Sequence, residues 1–228
     1  MKKYEFTGET KTFVNCTLHR IRAVRNFGTV KAGDLGGWIE KEENLSHIGR
    51  AWVSENALVC GDSLVFDNAQ VADSAEVCGN AQIYGDACVR ENASVYLRAR
   101  VYGKAIVSGN ARVYGDSWVY NNAHVCGNAW VRENAHIYGQ ALVSDKALIS
   151  GRASINSNAS VSSETDYATI TGFGKDAAPM TFFRCSDGKI RAQTVFLDGT
   201  MEDFRAYAAE SIMSKEYLMI ADLIDMHF

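Results

Sequence analysis

The chain has 228 residues, 47 % of them hydrophobic and 22 % charged, with a net charge of −4. That composition suits one elongated domain or two small ones, and the charge gives no general drive toward nucleic acid or a membrane surface. No apolar run approaches the roughly 20 residues of a membrane helix and no signal peptide follows the Met1-Lys2-Lys3 start, so a cytoplasmic protein is expected.

In chain order, residues 1–50 form the first unit, an N-terminal β cap. Tyr4 to Phe6 and Thr12 to Val24 read as strands, with Thr7-Gly8-Glu9-Thr10 as the turn between them. The glycine-rich stretch from Val30 to Ile39 fits neither GxxxxGK[ST] nor GxGxxG. It is expected to be a turn that lays Trp38 and Ile39 over an open first coil, after which Leu45 to Arg50 leads into the next unit.

From Ala51 to Val161, in a second unit of residues 51–164, the chain repeats six residues without an insertion. The third position of the repeat, from Val53 to Val161, is Val or Ile nineteen times in succession, and the first is always Ala or Ser. Such a period fixes the architecture before any local propensity. Positions 1 to 4 make a short strand with positions 1 and 3 on one face and 2 and 4 on the other. Positions 5 and 6, rich in Gly, Asp, Glu and Asn, are turn chemistry that tolerates unusual backbone angles. Ordering a coil of 18 residues costs roughly 1 to 2 kcal/mol per residue, whereas its three branched aliphatics return about 1.5 to 3 kcal/mol each. Coils must therefore stack, and the ends must be capped.

Residues 165–228 form the third unit, read as a small ββαα cap. Tyr167 to Thr171 and Met180 to Arg184 look like strands, and Ser186-Asp187-Gly188-Lys189 is a hairpin turn leading to Ile190 to Leu197. Thr200 with Asp203 three residues on is a helix start; Phe204, Tyr207 and Ala208 give that helix an apolar face, and a second helix begins near Ser214. This unit closes the far end of the coil stack or buries its helix face against another subunit.

The hexad resembles the hexapeptide-repeat superfamily. Both flanks are similar to bacterial and prophage-encoded hexapeptide-repeat proteins: Ile21 to Val24, Gly36 to Ser46, Thr181 to Arg184, Asp187-Gly188, Gly199-Thr200, Asp203-Phe204 and Lys215 to Leu218. The resemblance implies a mainly β protein, a left-handed parallel β-helix of about six coils with a triangular section. It also implies homo-oligomers, trimers above all, and a phage-accessory or anti-defence role with an unidentified macromolecular partner.

Residues 18 apart then stack in columns about 4.8 Å apart, the strand spacing. One side carries Phe66, Tyr84, Tyr102, Tyr120 and Tyr138, finished by Asn156, beside a column that includes Trp118 and His136. A contiguous aromatic strip serves either as support for the sheet or as an association surface. A second side holds Tyr96, Arg112, Tyr114, Trp130 and Arg132, with Arg98 at its corner, a basic-aromatic patch of the kind that can hold phosphate or a base, diluted by Glu76 and Glu133.

The leading functional reading is a non-catalytic scaffold acting through its flat sides, without cofactor or metal. The alternative implied by the superfamily is an acyl-CoA-dependent acyltransferase with a general-base histidine. His124 and His136 are the candidates, but 12 residues apart they fall on different sides, and no loop leaves the repeat to wall a site. The five histidines are too few near one another for a His₃ zinc centre, and the absence of Thr from the repeat removes ice-binding rows. Cys60 and Cys78, also 18 apart, could pair; reduced thiols are the expected state.

Overall fold

A computed structural model of the chain describes residues 2–173 and 177–228. The protein is mainly β, a solenoid of about seven turns built from three parallel sheets, with two helices at its C-terminal end. Each six-residue unit contributes one two-residue strand, and each strand pairs in parallel with the residues 18 positions on, as Arg100↔Trp118 and Val101↔Val119 do. The Val and Ile of position 3 are all at most 1 % exposed, as are the Ala and Ser of position 1. The two inward serines keep partners: Ser63 Oγ donates to the Cys60 carbonyl at 2.5 Å and Ser117 Oγ to the Tyr114 carbonyl at 2.8 Å.

The seventh turn comes from a stretch that the repeat hides. Trp38 and Ile39 are not a lid over the first coil but its first rung, paired in parallel with Leu58 and Val59, and Leu45 bridges Val65 in the same sense. Their offset is 20 residues instead of 18, because eight residues separate Leu45 from Val53 where the repeat has six. The N-terminal hairpin also differs from expectation. Its strands are Tyr4–Phe13 and Cys16–Ala23, so the turn is Val14-Asn15, with Phe13 opposite Cys16. Gly8, at φ 92°, lies in a register shift between Phe6 and Thr10, which absorbs the turn chemistry of 7–10 as a bulge.

The tail is not ββαα but a four-stranded antiparallel sheet followed by two helices: Tyr167–Ile170, Met180–Arg184 and Ile190–Gln193 pair in turn, and Asp198–Thr200 pairs with Ile190–Gln193 before the first helix begins. Thr200 caps α1 (Met201–Glu210), its Oγ1 accepting from the Asp203 N–H at 3.1 Å while Asp203 accepts from the Thr200 N–H at 2.8 Å. With α2 (Ser214–His227) it covers that sheet through Phe204, Ala208, Ile220, Ala221 and Ile224. Neither helix is long and apolar enough to cross a membrane.

Position 5 of the unit, from Glu55 to Ser157, has positive φ throughout. Glycine suits it best, because a Cβ at Gly103 would lie 2.9 Å from the Asn121 amide nitrogen of the next coil. Leu97, at φ 61° and 53 % exposed, bears the left-handed strain with no polar compensation. Gly103→Ala is therefore expected to lose about 2 kcal/mol or more, while Leu97→Asn gains about 0.5 to 1 kcal/mol. Chemical unfolding of the two variants checks both signs.

Candidate functional site

The aromatic side follows directly from the coil register. Position 4 on one sheet places Phe66, Tyr84, Tyr102, Tyr120 and Tyr138 one above another, with successive ring centroids 4.8–4.9 Å apart and interplanar angles of 1–5°. Position 2 of the same sheet places Trp118 on His136 at 4.9 Å and 6°. The two columns meet edge to face, Tyr102 against Trp118 at 6.3 Å and Tyr120 against His136 at 6.5 Å, the arrangement that ring quadrupoles favour. The Arg100 guanidinium lies 5.0 Å from the Trp118 ring centre, closing the Trp118–His136 stack on its other face. All of these rings are half-buried, covered by one another and open along the solvent edge.

Packing also acts on the phenols. Burial, then the neighbouring Tyr138 and Tyr102, push the Tyr120 hydroxyl up to about 12. The ladder stops at Asn156, only 4 % exposed, whose Nδ2 donates to Gln193 Oε1 at 2.8 Å and to Asp198 Oδ2 at 2.9 Å and lies 3.2 Å from the Tyr138 hydroxyl. The tail thus meets the aromatic side where the column ends. Beside that junction a cleft of about 590 Å³ opens, with His136, Arg152 and Ser154 on the solenoid wall and Pro179, Gln193 and Thr194 on the tail wall.

Comparison with known proteins finds a likeness in the repeat. A family model described as the YdcK beta solenoid repeat matches residues 107–121. The uncharacterized acetyltransferase YdcK of Escherichia coli (strain K12) is 32 % identical over 74 residues, which are 28 % of this chain and 23 % of that protein. The chain therefore spans less than a quarter of the length of that relative.

The two candidate histidines lie on different sheets, His124 stacked between Ile106 and Leu142 and His136 between Trp118 and Ser154. His124 Nε2 lies 3.0 Å from the hydroxyl of Ser108, which is 4 % exposed. Burial is the sole cause of the His136 shift, and no carboxylate among the described residues acts on that ring. Burial pushes both imidazoles below the ordinary histidine value, and for His124 the Arg90 charge adds to it.

On the second side Tyr96 stacks on Tyr114 at 4.9 Å, and Arg112 lies 5.2 Å from the ring of Trp130, itself 39 % exposed. Arg98 does not join this patch as an open cation, since Asp116 holds its guanidinium through two 2.7 Å bonds. Arg132 has Glu133 at 3.7 Å. The basic-aromatic patch is thereby reduced to Arg112 and Trp130 with the tyrosine pair. Sequence reasoning missed the tail wall of the cleft, because Pro179, Gln193 and Thr194 carry no motif and come close only through the docking of the tail.

A lowered imidazole pKa means that the unfolded chain takes up a proton first as the pH falls. Stability contributed by neutral His124 and His136 is thus complete above about 6.5 and is lost as the pH falls from there toward their folded values. Trp118→Ala exposes His136 alone. Its titration, followed by NMR of the imidazole, is expected to return toward the ordinary value while that of His124 stays in place.

Proposed function

We propose that the protein is a non-catalytic scaffold that associates with copies of itself through the aromatic side. The observation that carries this reading is the pair of edge-to-face columns, Phe66 to Tyr138 and Trp118 on His136. Rings already held by their neighbours lose little rotamer freedom on docking, and aromatic groups are enriched where protein surfaces meet. Three copies around a threefold axis follow the superfamily resemblance, and such closure buries one side of every chain. The same reading takes the chain as a cytoplasmic hexapeptide-repeat protein of left-handed type in a phage-accessory setting, where a second macromolecule meets a side that the trimer leaves open.

Acyl-CoA-dependent acyl transfer is a second reading, favoured by the name of the Escherichia coli relative, an uncharacterized acetyltransferase, and by the neutral imidazole of His136 beside a cleft. Against it stands an imidazole that no carboxylate among the described residues orients. Acetyl-CoA titration in a calorimeter separates the two: the scaffold gives no heat of binding, whereas the enzyme gives a saturable isotherm abolished by His136→Ala.

For the scaffold, light scattering is expected to give a mass near three times that of the 25.0 kDa chain. Tyr102→Asp combined with Tyr120→Asp puts like charges one rung apart on the docking strip and lowers that mass while the far-ultraviolet spectrum is kept. An unchanged mass in the double variant refutes association through this side.

A further inference from the structure

Three cysteines that share no sequence motif converge where the N-terminal hairpin meets the first coils. Cys16 starts the second strand of the hairpin, Glu40 follows Ile39 on the first rung, and Cys60 and Cys78 take position 4 on the next two coils of the same sheet. The ligand atoms of Cys16, Glu40 and Cys60 all lie within 4.8 Å of one another, and Cys78, one coil on from Cys60 on the same sheet, packs against that cluster. A tetrahedron with metal–sulfur arms of about 2.3 Å has edges of about 3.7 Å, so small side-chain rotations bring Cys16, Glu40 and Cys60 onto a common centre, toward which Cys78 turns from the next coil as the fourth ligand.

The surroundings fit a closed site. Cys60 is 8 % exposed and Cys16 and Cys78 are half-buried, with Leu18, Leu58, Phe13 and Trp38 packed around them. Glu40 Oε2 accepts the Gly61 N–H at 2.6 Å, which fixes the carboxylate and leaves its other oxygen free to turn inward. Cys16 Sγ donates to the Phe13 carbonyl at 3.1 Å, which seats it across the hairpin turn. Lys11 and Arg20 stand over the Trp38 ring, at 4.6 and 5.3 Å from its centre, and offset the negative charge that thiolates would bring.

We propose that Cys16, Cys60, Cys78 and Glu40 form a structural site for a thiophilic divalent cation of the zinc class. Three sulfur donors select a soft or borderline metal over calcium or magnesium, and four protein ligands leave no position for catalysis. The cation would tie the hairpin to the first three rungs of one sheet, so binding would contribute to folding. Loading releases the thiol protons to solvent and forms metal–sulfur bonds without any change of oxidation state.

The test uses the whole chain, reduced and freed of metal, with Co²⁺ as a spectroscopic probe and Zn²⁺ as competitor. One equivalent of Co²⁺ is expected to give a thiolate-to-metal charge-transfer band that one equivalent of Zn²⁺ bleaches, and Zn²⁺ is expected to raise the melting temperature by at least about 5 °C. Cys16→Ser and Cys78→Ser should each weaken Co²⁺ binding at least tenfold, whereas Cys126→Ser, on another sheet, should not. The proposal is overturned if the wild-type chain shows no such band, if the band survives unchanged in both variants, or if thiol counting on the freshly purified protein finds these cysteines joined as a disulfide.

Discussion

A stack of parallel coils ends in open backbone, and the rest of this molecule is arranged to close it. In most six-residue units below the last coil three N–H groups donate to carbonyls of the following coil, as Arg100, Tyr102 and Lys104 donate to Ser117, Val119 and Asn121. The first rungs are therefore left with carbonyls turned outward and the last with N–H groups, on each of three sheets. Unpaired edges of this kind cost stability and invite foreign strands. At the N-terminal end the hairpin covers one sheet, the Tyr4 hydroxyl donates to the Leu45 carbonyl at 2.9 Å on the second, and the Lys3 ammonium to the Ala51 carbonyl at 2.6 Å on the third. At the far end the acceptors answer the donors: Thr181 Oγ1 takes the Ser154 N–H, the Tyr167 hydroxyl takes that of Ser150 while donating to the Leu148 carbonyl, and Asp166 takes that of Ser162. The cost is visible at Lys3, whose complete burial, with the Arg25 charge, pulls its pKa down to about 8.

Unbroken register has a second consequence, that like stacks on like. Position 6 builds an amide run in which Asn92 donates to Asn110 and Asn110 to Asn128. Acidic residues at position 5 accept the backbone N–H one coil on, as Asp73 does from Glu91 and Glu133 from Gly151. The tyrosine column obeys the same rule, so support for the sheet and an adhesive surface are one structure read from two directions. Tyr114 meets Trp130 edge to face on the second side as Tyr102 meets Trp118 on the first, so what distinguishes the first side is length, five stacked rings against two.

The repeat made the solenoid interior legible from the residues alone, because a strand, a turn and an inward branched side chain recur at one fixed spacing. Where the spacing changed, legibility failed: Ile39 and Leu45 keep a six-residue step between themselves, but the eight residues to Val53 break the count, and only the pairing shows that they belong to the stack. Local turn chemistry misled at Thr7 to Thr10, since one glycine serves a bulge as well as a hairpin. The aromatic column was visible as a period of 18; the cleft beside His136 and the thiol cluster were not, because each joins residues from elements whose contact depends on docking.

The same reasoning bears on how far likeness to another solenoid carries. In residues 107–121 the inward Val107, Val113 and Val119 and the left-handed turns at Gly109 and Gly115 are what any coil of this width requires. A match built on them reports the interior and the turns, which are set by packing and by close backbone approach. Arg112, Tyr114, Trp118 and Tyr120 alternate with those positions and point away from the core, so the solenoid's packing leaves them free to vary. Two solenoids can thus share coils while their outer columns meet different partners, and the chemistry of this protein has to be sought on its own sides: the stacked rings, the cleft at their end, and the sulfur-lined seam beneath the hairpin.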